Sequence, residues 1–563
     1  MRRALTSIAM ALLVLGSLVP AAAAAPAPAL EQIGAEQTSS AASTESTAID
    51  RSTTDGPPDP EEDQLGWENG YWHNESIDVN QSDGLSEAEL NATVSRAIAR
   101  VEVIRRMEFN ETVPVDIISR EEFRNRSGNR TVNETFRAFD DTKFEALLLV
   151  GENEDSLEIQ EENRGSSVLG YYSPSENAIV IVSENASSPQ IDEFTLAHEL
   201  VHALQDQQFN LSSIRSETRD ESNANSGIIE GDASLVEQRY KNRCGEGGAW
   251  NGSCVRPAVS LGQGGGGAPA NLGVYFLKFQ PYSDGPPFVA SIYREGGWDA
   301  VNAVYNDTPE SAEQVIHPEK YGEDSPTAVE LTDENSGEWT RLRPPNRLDY
   351  AEVGEAGIAS MFVYPLYNEG QGGSIVQPQN WLNYTDDGSV SQFDPLNYGF
   401  AYAAGWDGDR MHFYRNADGE TAYVWRLVWD SPAEAEEFRE GYEELIYYWG
   451  AEQVSETTYR IPEGDSAFAD AFHISVEGET VTIVNAPTTA ELSEIRSSVN
   501  SNSNAEETAT PTETETETTT PANNAGTENT SPVTEPTGTE SPGFTVLTAT
   551  LALLLSALLA RLR

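Results

Sequence analysis

Apolar and polar positions take up a helical period from Ser86 onward. Ser86-Glu87-Ala88-Glu89 is a capping-box start, and the pattern continues through VSRAIARVEVIRRM. Short apolar runs predict strands at 144–150 and 177–183 (NAIVIVS). Segment 191–209 carries Phe194, Leu196, Ala197, Leu200, Val201, Ala203 and Leu204. These surround the helical wheel, so a buried helix is predicted there. A second helix is predicted over 226–240, and helices and turns carry the chain to about 344. Beyond 346 the texture changes. MHFYRN, ADGE and TAYVWRLVW read as strand, tight turn and strand, and 432–449 is an amphipathic helix with Pro432 in its first turn. Segment 473–487 closes with a second hairpin, and no internal repeat is present. The fold class expected is α+β, with one domain over 85–345 and a second over 346–495.

The flanks have a different composition. Residues 1–25 have a signal-peptide layout: Arg2 and Arg3, an apolar stretch at 8–19, then Ala21 to Ala25. Both a Sec signal and a twin-arginine signal suit that layout. Residues 26–84 read as a flexible leader. Residues 496–541, rich in Thr, Glu, Pro, Asn and Ser, cannot bury enough surface to offset chain entropy and read as an extended stalk. Pro542, Gly543 and Phe544 follow, then an apolar run at 546–560 and the terminal Arg561 and Arg563. This three-part tail resembles the PGF-CTERM sorting signal of archaeal surface proteins. The resemblance implies cleavage by an archaeosortase and replacement of the tail by a lipid anchor. A permanent membrane helix is the alternative. Either places the body at the extracellular face of the membrane.

Charge narrows the partners. Asp and Glu number 92 against 34 Lys and Arg, a formal net charge of -58. Such a surface excludes nucleic acid and anionic lipid as partners. The Debye length falls to about 3 Å at 1 M salt, so the composition suits molar salt, where self-repulsion is screened. Hydrophobic residues still make up 38% of the chain, enough to build cores. Cys244 and Cys254 bracket GEGGAWNGS and are expected to close a disulfide in an exported chain. Glycan acceptor sequons start at Asn74, Asn80, Asn91, Asn110, Asn125, Asn129, Asn133, Asn185, Asn210, Asn251, Asn306 and Asn383.

The chemistry lies in the 191–209 helix. His198 and His202 are four residues apart, so both imidazoles leave one face and can reach one Zn²⁺. Glu199 sits beside that face, placed to take a proton from a zinc-bound water as it attacks a peptide carbonyl. With only six histidines in the chain, chance produces this HExxH pattern roughly once in two hundred such sequences. A third ligand is needed. Glu230, flanked by Ile228, Ile229 and Gly231, is the choice, with Asp232 and Glu237 as fallbacks. An oxyanion donor is expected from His317, with Tyr321 and Tyr240 behind it. His73, His412 and His473 stand outside any cluster and read as structural.

HELVHALQD resembles the active-site helix of the thermolysin-like gluzincins, zinc peptidases of the zincin group, down to Asp206 four residues after the second histidine. The resemblance covers about 177–237. It implies a Zn²⁺ site of His198, His202 and Glu230 with Glu199 as base. Asp206 and Asp232 are then expected to support the ligands, and NAIVIVS to be an edge strand that binds substrate by strand addition. Ser234 stands where that family keeps an aspartate. The expectation is a cell-surface zinc metallopeptidase acting on peptides or proteins. The alternative is a non-catalytic S-layer or surface glycoprotein, structural or adhesive, that keeps its zinc for stability.

Overall fold

The computed structural model of the chain describes residues 58–127, 132–183, 188–257, 269–368, 373–464 and 466–499. The signal-peptide, most of the stalk, and the sorting-signal residues Pro542, Gly543 and Phe544 lie outside these residues. Among the described residues, no helix is long and apolar enough to cross a membrane.

A short hairpin opens the described chain, β1 (Trp67–Glu68) and β2 (Tyr71–Trp72). It turns through Asn69 and Gly70, both at positive φ, as an Asn-Gly turn requires. The leader expected to run to 84 is therefore ordered from 58 onward, because three aromatic side chains give this segment apolar surface to bury. Then come α1 (Glu87–Arg105), β3 (Val115–Ser119), α2 (Arg120–Ser127), α3 (Glu134–Ala146) and α4 (Ser156–Ser167). Next are β4 (Gly170–Ser173), β5 (Ala178–Ser183), α5 (Glu193–Phe209) and α6 (Arg219–Cys244). This half ends with α7 (Leu272–Val304), broken at Gly297, and α8 (Ala312–Ile316). The capping box at Ser86 forms as expected, with Ser86 and Glu89 bonding reciprocally. The strand expected at 144–150 does not form. Phe144 to Ala146 form the last turn of α3, and the rest is a buried turn with Leu148 at φ 53. A run apolar on every side serves a buried helix end as well as a strand.

The second half contains β6 (Thr340–Arg341), α9 (Gly354–Tyr367), α10 (Pro378–Trp381), β7 (Trp406–Arg415) and β8 (Thr421–Trp429). After these come α11 (Pro432–Tyr448), β9 (Glu452–Gln453), β10 (Thr458–Arg460), β11 (Ala471–Glu477), β12 (Thr480–Ala486) and α12 (Leu492–Ile495). Seven strands form an antiparallel sheet in the order β6-β7-β8-β12-β11-β10-β9. The two hairpins read from the sequence are its centre. The fold is α+β.

A smaller sheet has the order β3-β5-β4, with β3 parallel and β4 antiparallel to β5. NAIVIVS is thus the central strand and not the edge. Every residue of β5 is buried, as both-face burial demands of so apolar a run. The edge beside the helix that carries HExxH is β4: a Cβ on Gly170 would meet Glu199 Cγ at 3.4 Å.

One core surrounds α5, with Ile98 and Val101 of α1, Ile181 of β5, Ile228 and Val236 of α6, and Phe288 of α7. A second core joins Phe144, Val274 and Phe276 to Phe362, Trp425 and Ile483. At the junction expected near 345 the core is therefore continuous, and α7 serves both cores.

Candidate metal centre

α5 and α6 each begin on an N-cap, Asp192 and Thr218, and lie against each other. α6 starts earlier than the pattern at 226 suggested, because the Thr218–Glu221 capping box begins it. Close approach of α6 to α7 depends on glycine. A Cβ on Gly231 would overlap the Gly285 carbonyl, and one on Gly285 would overlap the Gly227 carbonyl. The contact brings Tyr282 of α7 to Glu230 of α6, where its hydroxyl donates to Oε1 at 2.7 Å.

Glu230 Oε2 lies 3.2 Å from His198 Nε2 and 3.4 Å from His202 Nε2. Two ligands of a tetrahedral Zn²⁺, each bonded at about 2.0–2.1 Å, stand about 3.3 Å apart. The three residues therefore fit the ion. His202 Nε2 is buried without a hydrogen-bond partner among the described residues, as a nitrogen awaiting a metal should be. The other ring nitrogens are directed. His202 Nδ1 meets Gln205 Oε1 at 2.9 Å, and His198 Nδ1 lies 3.6 Å from Glu237 Oε2. Gln205 is held in turn by donating to the Ile229 carbonyl.

Charge at the site also calls for a cation. Burial pushes the His198 pKa down, but Glu230 and Glu237 beside it outweigh this and hold it up at about 10. Burial pushes Glu230 up, but the two imidazoles pull it to about 2. Glu237 stands at about 2 as well, with Lys241 and His198 outweighing its burial.

Other expected site residues are engaged elsewhere. Asp206 accepts from Tyr172 and from the Leu211 backbone, closing the C-terminal end of α5. Asp232 takes a bidentate Arg105 and the Tyr305 hydroxyl. Neither touches an imidazole; Gln205 bonds His202, and Glu237 stands 3.6 Å from His198 Nδ1, beyond hydrogen-bond distance. His317 bonds Glu355 at 3.0 Å, Tyr321 donates to the Asp307 carbonyl, and Tyr240 donates to Glu193. None of these three joins the trio. His73 and His473 stand apart from it, and His412 sits with Arg341 and Asp333.

Glu193, in the first turn of α5, anchors that helix. It is fully buried and pairs with Arg96 at 3.0 Å and Arg100 at 2.7 Å. Tyr240 and the Val255 N–H also donate to it. Cys244 and Cys254 form the expected disulfide, which closes a loop that ends immediately before Val255.

Residues 341–496 match a family model described as a Domain of unknown function (DUF8575). That span holds the seven-stranded sheet from the second residue of β6, together with α9 to α12, and leaves α5 and α6 outside. No curated protein and no solved structure matches the chain.

Proposed function

We propose that this chain is a zinc-dependent peptidase of the zincin type, with His198, His202 and Glu230 as ligands and Glu199 as general base. One observation carries the reading: three buried donor atoms, two from one helix face and one from the next helix, spaced as tetrahedral zinc requires. When bound there, zinc supplies Lewis acidity and brings the pKa of a water towards neutrality. Glu199 adjoins the ligand face without belonging to the ligand set, and its carboxylate takes the proton as the nucleophile attacks a peptide carbonyl. Tyr282 holds Glu230 and Gln205 holds His202 in register. The outer edge of β4, with no partner strand among the described residues, is where an extended peptide adds, beside the face on which Gly170 meets Glu199. Export and anchoring rest on residues 1–25 and 542–563, and the disulfide suits an oxidising compartment.

A second reading has its own observation. His198, His202 and Glu230 are each at most 2% exposed, and Glu199 is fully buried. Structural zinc sites are closed, whereas catalytic ones keep an open position. A surface protein with a structural zinc accounts for that burial. Glu199→Gln separates the two. The peptidase loses hydrolysis of an unstructured protein substrate while keeping one zinc per chain. If no hydrolysis by the wild-type chain is detectable with zinc bound, the peptidase reading fails.

A further inference from the structure

We propose that Asn74 and Asn80, on the irregular segment between β2 and α1, each carry an N-linked oligosaccharide, and that Asn383 stays bare. The inference rests on export of the chain and not on peptidase activity. In such a modification the asparagine Nδ2 bonds to the anomeric carbon of a phosphate-activated sugar. The bond from that carbon to the phosphate oxygen breaks, and phosphate leaves with the electron pair. The nitrogen gives one of its two protons to a base of the transferase. An acceptor compatible with the fold therefore needs an exposed asparagine whose Nδ2 has a proton to spare. The sequon also needs its hydroxyl, two residues on, at the surface.

Segment 73–85 meets these conditions twice. Asn74 and Ser76 are exposed, whereas Glu75 between them is buried. Glu75 is pinned from both sides. Its N–H donates to the Trp72 carbonyl at 3.0 Å, its carboxylate accepts from the Trp72 N–H at 3.1 Å, and its carbonyl accepts from Arg96 at 3.3 Å. Burial of the middle residue leaves both ends of the sequon at the surface. In the second sequon Asn80 and Ser82 are exposed. Asn80 Oδ1 accepts from the Ser82 N–H at 3.1 Å, a turn that commits the amide oxygen and spares the nitrogen. Neither Nδ2 donates to another group among the described residues. The segment is ordered by its contacts with the approach to α5. Gln81 exchanges two hydrogen bonds with the Ile191 backbone, and the Leu85 N–H donates to the Pro189 carbonyl.

Asn383 is the contrast. It is half-buried and spends both Nδ2 protons, on Asp394 at 2.9 Å and on the Leu396 carbonyl at 3.1 Å. An N-linked amide keeps one proton, so a sugar there breaks one of these bonds and has to displace the chain around it. Other sequons are less open than those at Asn74 and Asn80. Asn110 donates to the Gln207 carbonyl, and its Thr112 hydroxyl to Glu68. Thr93, which follows Asn91, is fully buried with its hydroxyl on the Glu89 carbonyl. Ser253, which follows Asn251, is held between the Trp250 carbonyl and Arg100.

The full chain is purified from cells that export it and digested with chymotrypsin, and the peptides that span Asn74, Asn80 and Asn383 are weighed by mass spectrometry. N-terminal sequencing of the same sample shows whether residues 1–25 have been removed. Sugar mass is expected on Asn74 and on Asn80 and none on Asn383. Asn74→Gln with Asn80→Gln should remove that mass. Ser76→Ala with Ser82→Ala keeps both asparagines and should remove it too. Sugar on Asn383, or mass that survives Ser76→Ala with Ser82→Ala, overturns the proposal. A bare Asn74 or Asn80 in a chain that has lost residues 1–25 overturns it alone. Bare asparagines in a chain that retains those residues overturn the export reading with it.

Discussion

His202 Nδ1 and Gln205 Oε1 lie 2.9 Å apart on a single turn of α5. Because the Gln205 amide nitrogen is committed to the Ile229 carbonyl, its oxygen must face the ring. The imidazole then carries its proton on Nδ1 and turns Nε2 towards Glu230, where the proposed ion would bind. Gln205→Leu removes that direction without touching a ligand. Zinc affinity, read by competition with a chromogenic chelator, should fall by about 10- to 100-fold. Unchanged affinity would mean that His202 is oriented by its helix alone.

Gly231 adjoins Glu230 and faces the Gly285 backbone. Gly231→Ala adds a methyl where a carbonyl already stands. The gain in helix propensity, about 1 kcal/mol, is smaller than the expected overlap cost of about 1–3 kcal/mol. Separation of α6 from α7 also stretches the Tyr282 hydrogen bond to Glu230. The variant should show a lower urea midpoint together with weaker zinc retention. A variant as stable as wild type would contradict the close packing of these helices.

How much of this centre was legible in the sequence follows from periodicity. His198 and His202 are one turn apart, so their shared face was evident, and Gly231 announced close packing beside Glu230. The partners of the imidazoles were misread. Asp232 is two residues from Glu230, about 200° round the helix. It faces Arg105 and Tyr305 accordingly. Glu237 is seven residues on, two turns along the same face, and that spacing was the available signal. Gln205 likewise follows His202 by three. The edge strand could not be found the same way. Gly170–Ser173 has four residues and no apolar alternation, and only its pairing with β5 makes it a strand. The Asn69-Gly70 hairpin was legible, since an Asn-Gly pair between aromatic residues is a turn signal; its acidic, proline-rich surroundings masked it.

Cys244 ends α6 and Cys254 lies next to Val255, whose N–H donates to Glu193 in the first turn of α5. The disulfide thus joins the end of the Glu230 helix to the start of the HExxH helix. Loop-closure entropy for its separation of ten residues is worth about 2–3 kcal/mol. Cys244→Ser with Cys254→Ser should lower unfolding stability by that amount, and reductant should do the same to wild type but nothing to the variant. If reductant destabilises the double variant equally, its effect lies elsewhere.

Buried carboxyls set the dependence of stability on pH. Burial lifts Asp394 to about 6, Asp409 to about 7 and Glu102 to about 8. Each binds its proton more tightly folded than unfolded. The stabilisation is complete below the unfolded value near pH 4 and is lost as pH rises through the folded value. Glu230 and Glu237, held at about 2, act in the opposite sense, but theirs is lost only as pH falls below about 4. Burial lowers His412 to about 4, which opposes the raised carboxyls only below about pH 6.5, so between about pH 6.5 and pH 8 the raised carboxyls decide and stability should decline. Urea midpoints at constant high salt are the measurement. A midpoint that stays level or climbs towards pH 8 would show that these carboxyls are already ionised in the folded chain, with the Gly66 and Phe109 N–H groups at Glu102, and the Val353 and Gly354 N–H groups and Trp425 at Asp409, outweighing burial.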